Sequence, residues 1–221
     1  MNLCYLGDAL DYWKGSLLER MQQAKLLTEL AVDPMASDAA DWTDFDRALF
    51  ATLLRITPAQ IVQHREFLCA NRARYFREIA HAADIFLDPD TGIATGRVRD
   101  MSQYVGAAEL HALLDAQPSR VIAVYQHIRA IPTRRRLGTI YAHVSADPRP
   151  FSCCSYESST VAMLFFSRNA RRVEAIHEFH NGILGTHATM RTFLWKPNEV
   201  ACPKVDPHHL RLNYWQDVVQ S

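Results

Sequence analysis

The chain has 221 residues, of which 48% are hydrophobic and 22% are charged. This length and composition are ordinary for a soluble globular protein with a well-buried core. The 24 basic and 24 acidic residues give a formal net charge of +0, which excludes a strong overall field drawing the chain to nucleic acid or to an anionic membrane.

The cysteines and the N-terminus both favour a cytoplasmic protein with no membrane partner. The five cysteines are odd in number and show no CxxC spacing, and the adjacent pair Cys153-Cys154 suits neither a disulfide nor a zinc site. We therefore expect reduced thiols. No apolar stretch approaches membrane-spanning length, and the first residues lack the basic-then-apolar layout of a signal peptide.

Apolar periodicity and turn residues predict an α/β fold. The expected elements are a helix over 12–24, a strand over 25–32, helices over 45–54, 58–69 and 71–82, a strand over 83–88, a helix over 107–114, a strand over 120–126, a helical segment over 132–144, and strands over 160–167 and 172–180. The strands over 83–88 and 120–126 enclose a helix, so they form a βαβ unit and should be parallel. We expect a single Rossmann-like, three-layer domain over 1–221, with a mostly parallel sheet, an antiparallel edge hairpin near the C-terminus and an irregular tail over 200–221.

The segment Asp88-Pro89-Asp90-Thr91-Gly92 ends an apolar strand with two carboxylates in a tight turn. Proline fixes its own φ and keeps the preceding residue extended, while glycine permits the turn. In open α/β sheets ligands bind outside the carboxyl ends of the strands, where such a turn would lie. The alternative is a structural turn in which the two acids only cap nearby N–H groups.

Two further sets of polar residues stand at predicted element ends. Asp8, Asp11 and Lys14 open the first helix, where either acid could also serve simply as its N-cap. Gln126, His127 and Arg129 follow the strand over 120–126, at the same sheet edge as the Asp-Pro turn. Carboxylates, an imidazole and cations together could bind a divalent metal and a phosphate, or hold a cofactor beside an acid or base. A half-exposed histidine at a strand end is the simpler interpretation of His127.

Common catalytic signatures are missing from the sequence. It contains no Walker A loop, GxGxxG, GxSxG or HExxH. The run Arg134-Arg135-Arg136 could contact the phosphates of RNA or DNA, although such a run is more often a solvated helix face.

The segments Gly7-Asp8-Ala9-Leu10-Asp11-Tyr12-Trp13-Lys14 and Asp88-Pro89-Asp90-Thr91, with the following strand Val121 to Tyr125, resemble the ribosomal RNA adenine-N6 methyltransferases. The resemblance implies a Rossmann-like fold, an N-terminal lysine segment against an S-adenosylmethionine site, and an Asp-Pro turn that receives the target amino group. The chain also resembles a bacterial family, without an assigned activity, that combines GDxxDYxK, DPDxG and YQHxR motifs.

The resemblance to the adenine-N6 methyltransferases implies a role for each candidate residue in a methyltransferase-like protein. Catalysis would involve Asp88, Asp90 and His127; cofactor binding would involve Asp8, Asp11, Tyr12, Lys14 and Asp33; and substrate binding would involve Thr91, Gly92, Gln126 and Arg129.

Two other functions are compatible with the same residues. One is a metal-dependent phosphoesterase or nuclease, in which Mg²⁺ or Mn²⁺ would be held by Asp8, Asp11, Asp88 and Asp90. The other is a non-catalytic binding protein that retains a degenerate site. The sequence leaves the oligomeric state open.

Overall fold

The computed structural model describes residues 3–36, 42–63, 68, 71–96, 98–128 and 131–195. The helices are α1 (Ala9–Gln23), α2 (Asp44–Leu53), α3 (Arg72–Ile79), α4 (Ala107–Ala116), α5 (Thr133–Val144), α6 (Ala170–Leu184) and α7 (Ala188–Arg191). The strands are β1 (Ala31–Asp33), β2 (Ile85–Leu87), β3 (Gly92–Ile93), β4 (Tyr104–Val105), β5 (Ile122–His127), β6 (Ser152–Glu157), β7 (Val161–Ser167) and β8 (Thr192–Trp195).

Six of the strands form one sheet in the order β1-β2-β5-β7-β6-β8, and β3 pairs with β4 separately. β1, β2 and β5 are mutually parallel, as expected for the βαβ unit. β7 runs antiparallel to both β5 and β6, and β8 runs antiparallel to β6. Four strands, β1, β2, β5 and β6, therefore point in one direction, and the protein belongs to the α/β class.

Helices cover both faces of the sheet, because successive side chains along a strand point to opposite faces. In β2, Ile85 and Leu87 join a core with α3, α4 and α5, whereas Phe86 joins a second core with α1, α2 and α6. The central strands are buried on both faces and consequently consist of almost continuous apolar residues.

Three predicted elements differ from the structure. The segment 172–180 lies in α6 and is not a strand, since Val173, Ile176 and His180 recur at helical spacing on its buried face. The predicted helix over 58–69 is wrong for the described residues 58–63: Pro58–Gln60 makes a single 3-10 turn, and Ile61 bridges to β1. The strand over 25–32 shrinks to β1, because the preceding residues turn, with positive φ at Lys25 and Glu29.

The predicted irregular tail over 200–221 lies outside the described residues. Within the part of the chain that the structure describes, no helix is both long enough and apolar enough to span a lipid bilayer.

Candidate functional site

A cleft of about 390 Å³ lies where the parallel strands β2 and β5 end. It combines the start of α1, the turn after β2 and the last residues of β5, which are the three regions where the sequence places candidate residues. The residues lining it are Tyr5, Asp8, Leu10, Asp11, Lys14, Asp88, Pro89, Asp90, Thr91, Gln103, Tyr125 and His127.

Asp8 and Asp11 organise the start of α1. Asp8 is the N-cap, and its Oδ1 accepts hydrogen bonds from the backbone N–H groups of Leu10 (2.8 Å) and Asp11 (3.2 Å). Asp11 Oδ2 accepts the N–H of Gly7 at 2.8 Å, and Gly7 has a φ of +96° that a side chain would disfavour. Both acids therefore have local structural partners as well as a position on the cleft wall.

Lys14 connects α1 to the turn after β2. Its Nζ lies 2.8 Å from Asp88 Oδ2 and 2.7 Å from Asp11 Oδ1. All three side chains are buried, with Lys14 only 4% and Asp88 only 2% exposed. The sequence suggested the two segments only as parts of one candidate ligand set, and this ion pair is the contact that joins them.

Burial and neighbouring charges shift the pKa values of Lys14 and Asp88 in opposite directions. Burial alone would lower the pKa of Lys14, but the carboxylates of Asp88 and Asp11 outweigh it and raise that pKa above its usual value. The ammonium therefore stays protonated. Burial raises the pKa of Asp88, although its attraction to Lys14 opposes the rise.

Aromatic rings form the wall beside Lys14. Lys14 Nζ lies 4.7 Å from the centroid of the Tyr125 ring, a distance at which a cation is attracted to the ring face. Tyr125 packs edge-on against His127 with 4.9 Å between centroids. Trp13 stacks on Tyr156 at 5.9 Å and also meets Tyr125 at 6.5 Å.

The turn after β2 is fixed by hydrogen bonds to its neighbours. The N–H of Asp88 donates to the carbonyl of Asp33 at 3.0 Å, and the N–H of Thr91 donates to the carbonyl of Gln103 at 3.0 Å. The carbonyl of Thr91 accepts the N–H of His127, also at 3.0 Å. These bonds present Asp90 and Thr91, both half-buried, on the wall of the cleft.

Gln126 and Gly92 lie behind this wall rather than on it. Gln126 is fully buried, and its carboxamide bonds the backbone of Thr91, Ile93 and His127. A Cβ at Gly92 would overlap that carboxamide.

The structure places Asp33 and Tyr12 apart from the cleft lining. Asp33 is fully buried, where its Oδ1 accepts the N–H of Met35 (2.8 Å) and the hydroxyl of Tyr75 (2.6 Å). Tyr12 is 57% exposed and does not line the cleft. Arg129 lies outside the described residues.

Sequence reasoning missed several lining residues. Tyr125 precedes the predicted Gln126 and His127 at the strand end but has no predicted role of its own, although strand alternation places it on the α1 face beside His127. Gln103 comes from a short 3-10 segment, Met101–Gln103, that precedes β4, and it has no sequence signal of its own. Tyr5 likewise belongs to a 3-10 turn before α1, Leu3–Tyr5.

The arginine run at the start of α5 is divided among different contacts. Arg134 pairs with the buried carboxylate of Glu157 at 2.9 Å and lies 4.6 Å from the Phe193 ring centroid. Arg136 donates to Thr95 Oγ1 at 2.8 Å, whereas Arg135 is exposed. Only part of the run is therefore a solvated face.

The donor set can be compared with that of a metal site. Among the described residues, no group of three or more His, Cys, Asp or Glu side chains is arranged to hold a metal ion. The ammonium of Lys14 already occupies the position between Asp11 and Asp88 that a cation would take. The sequence as a whole matches no protein-family model and no curated protein.

Proposed function

We propose that this chain is a Rossmann-like, S-adenosylmethionine-dependent methyltransferase. The observation that carries the proposal is the Lys14–Asp88 ion pair, which brings the N-terminal acidic segment and the Asp-Pro turn into one cleft. This cleft lies at the carboxyl ends of parallel strands, where open α/β sheets bind their ligands. Its volume of about 390 Å³ is in the range of small-molecule sites.

The walls of the cleft suit a ligand that is both cationic and aromatic. The described lining carries four carboxylates, those of Asp8, Asp11, Asp88 and Asp90, against one ammonium. The rings of Tyr5, Tyr125 and His127 provide surfaces on which an adenine could stack. S-adenosylmethionine has two positive groups and an adenine, and when bound it would supply an electrophilic methyl group.

The lining residues would form two groups that contact different parts of the bound ligands. Asp8, Asp11 and Tyr125 would face the cofactor, with Lys14 fixing the position of the wall. Asp90, Thr91 and His127, on the side of the Asp-Pro turn, would face both the sulfonium end of the cofactor and the substrate. A neutral imidazole has a nitrogen that can accept a proton, so His127 is our candidate for the base that receives a proton from a substrate amino group.

Nucleic acid is the substrate class that we propose. Arg135 is exposed near the start of α5, the helix that follows β5, and β5 ends with His127 on the cleft wall. The exposed guanidinium of Arg135 could hold a phosphate while a base enters the cleft.

A binding protein without catalysis is the second candidate, and two features of the β1 region favour it. No glycine occurs in the segment from Lys25 to Met35, whereas a glycine-rich turn after the first strand lets a cofactor approach closely in Rossmann folds. Asp33 at the end of β1 is also committed to the core by Tyr75.

The test is ligand-induced stabilisation followed by a transfer assay. Purified protein is melted with S-adenosylmethionine, its demethylated product, Mg²⁺ or Mn²⁺; a ligand at about 100 times its dissociation constant adds about 2.7 kcal/mol to the free energy of unfolding. The cofactor and its product should raise the melting temperature of the wild type and of Asp44→Asn, an exposed control at the start of α2. The rise should be smaller for Asp90→Asn.

Transfer of labelled methyl groups to total RNA or DNA then separates the two candidates. Stabilisation with transfer supports the methyltransferase, and stabilisation without transfer supports the binding protein. Stabilisation by metal alone, lost in Asp90→Asn, would instead support a phosphoesterase. A protein that responds to none of these ligands contradicts the proposal.

A further inference from the structure

The carboxamide of Gln126 forms a clamp between the turn after β2 and the end of β5. Its Oε1 accepts the N–H of Ile93 at 2.8 Å. Its Nε2 donates to the carbonyls of Thr91 at 3.0 Å and His127 at 2.8 Å. Both amide hydrogens and the amide oxygen are therefore used, and all three partners are backbone groups.

The clamp is specific to glutamine because its partners include both a hydrogen-bond donor and hydrogen-bond acceptors. One backbone donor and two backbone acceptors converge on a side chain that is 0% exposed. A carboxylate at this position could not donate to the two carbonyls, and an apolar side chain would leave three buried polar groups without partners.

Gly92 is the other half of the clamp. Its φ is +123°, a conformation that side chains rarely adopt, and a Cβ there would overlap the Gln126 carboxamide. The glycine of the Asp-Pro-Asp-Thr-Gly turn is therefore needed twice, for the backbone conformation and for the space that the carboxamide fills.

These bonds join two segments of the cleft lining. Thr91 comes from the turn after β2 and His127 from the end of β5, and the carbonyl of Thr91 accepts both the N–H of His127 and an N–H of Gln126 Nε2. Gln126 itself does not line the cleft.

We propose that Gln126 is a positioning residue: its buried carboxamide sets the separation between Asp90-Thr91 and His127, and thereby the affinity of the cleft for its ligand. The part of this inference that concerns ligand affinity rests on the proposed function. The part that concerns the clamp depends only on the backbone contacts.

Hydrogen exchange tests the clamp without any ligand. In Gln126→Leu, the amides of Ile93 and His127 should exchange at least about tenfold faster, because a buried donor loses its acceptor or its supporting bond. The exchange rates of amides at the centre of β2 and β5 should change only by the amount that follows from the change in the global free energy of unfolding. Gln60→Leu is the matched control, since Gln60 is a half-buried glutamine that donates to the carbonyl of Leu30 and to Gln22. It should alter stability without accelerating exchange at Ile93.

Affinity for S-adenosylmethionine is measured on the same proteins, together with Gly92→Ala. Gln126→Leu and Gly92→Ala should both bind at least about tenfold more weakly than the wild type, whereas Gln60→Leu should bind equally well. Unchanged local exchange in Gln126→Leu, or faster local exchange with unchanged affinity, would overturn the inference. A wild type that binds no S-adenosylmethionine but shows the local change in exchange would reject the proposed cofactor while supporting the clamp.

Discussion

Lys14 and Asp88 are 74 residues apart in the sequence, yet Lys14 Nζ lies 2.8 Å from Asp88 Oδ2 in a buried ion pair. Asp11 shares the same ammonium at 2.7 Å. One cation therefore serves two carboxylates from different elements, and it fixes α1 against the end of β2. This relationship makes Lys14 a determinant of stability as well as of the shape of the cleft.

Lys14→Met should lower the free energy of unfolding at pH 7.5 by about 3–5 kcal/mol, because it leaves buried carboxylates without their counter-charge. Chemical denaturation measures the loss. Burial raises the pKa of Asp88, so protonation of this carboxylate relieves part of the cost, and the difference from wild type should narrow as the pH falls to 5. Arg55→Met is the control: the Arg55–Glu19 pair is 45% and 35% exposed, and its loss should cost less than about 1 kcal/mol. Equal effects of the two substitutions would contradict the role assigned to Lys14.

Gly15→Ala should destabilise the protein, although alanine is the better helix former by about 1 kcal/mol. Gly15 lies in α1 where that helix meets α2, and a Cβ there would overlap the backbone carbonyl of Leu53. Relief requires the two helices to separate. Gly182→Ala in α6 is the matched control, since nothing lies within 4 Å of its added Cβ. It should stabilise by about 0.5–1 kcal/mol. In thermal and chemical denaturation, Gly15→Ala should therefore lower the free energy of unfolding and Gly182→Ala should raise it.

His180→Phe should reduce the sensitivity of the fold to acid. Burial lowers the pKa of His180 from 6.5 to about 4 in the folded protein. A group with a depressed folded pKa contributes stability that is present above the unfolded value and is lost as the pH falls from 6.5 towards 4. The loss amounts to about 3 kcal/mol. Phenylalanine keeps the contacts with Tyr156 and Phe165 but does not titrate.

The measurement for His180 is the free energy of unfolding from pH 7.5 to pH 4. The profile of His180→Phe should be flatter than that of the wild type, while His187→Gln, at an exposed position, should follow the wild type. Parallel profiles for the wild type and His180→Phe would show that His180 is not responsible for the acid sensitivity.

The sequence predicted that the Asp-Pro turn and the end of the strand over 120–126 would share one sheet edge, because parallel strands bring their carboxyl ends together. The start of α1 follows no parallel strand, so its contact with Asp88 through Lys14 has no comparable local signal. The segment over 172–180 was mistaken for a strand because its apolar letters alternate, while Val173, Ile176 and His180 also satisfy a helical period. Only tertiary packing decides between the two periods.

β6 was missed for a different reason. Its sequence, SCCSYE, contains no run of large apolar residues, yet the strand is buried between β7 and β8. The Gln126 clamp could not be predicted either, because it depends on a turn 33–35 residues earlier in the chain. Such contacts follow from the register between strands, which the sequence of a single strand does not specify.

The neighbouring cysteines of β6 have a practical consequence for studies of unfolding. Cys153 belongs to the core on the α3–α4–α5 side and Cys154 to the core on the α1–α2–α6 side. Burial raises the pKa of both thiols, so neither should react while its side of the sheet stays closed. The two adjacent sulfur atoms are thus native reporters of opposite layers, and their separate rates of alkylation would reveal which layer opens first.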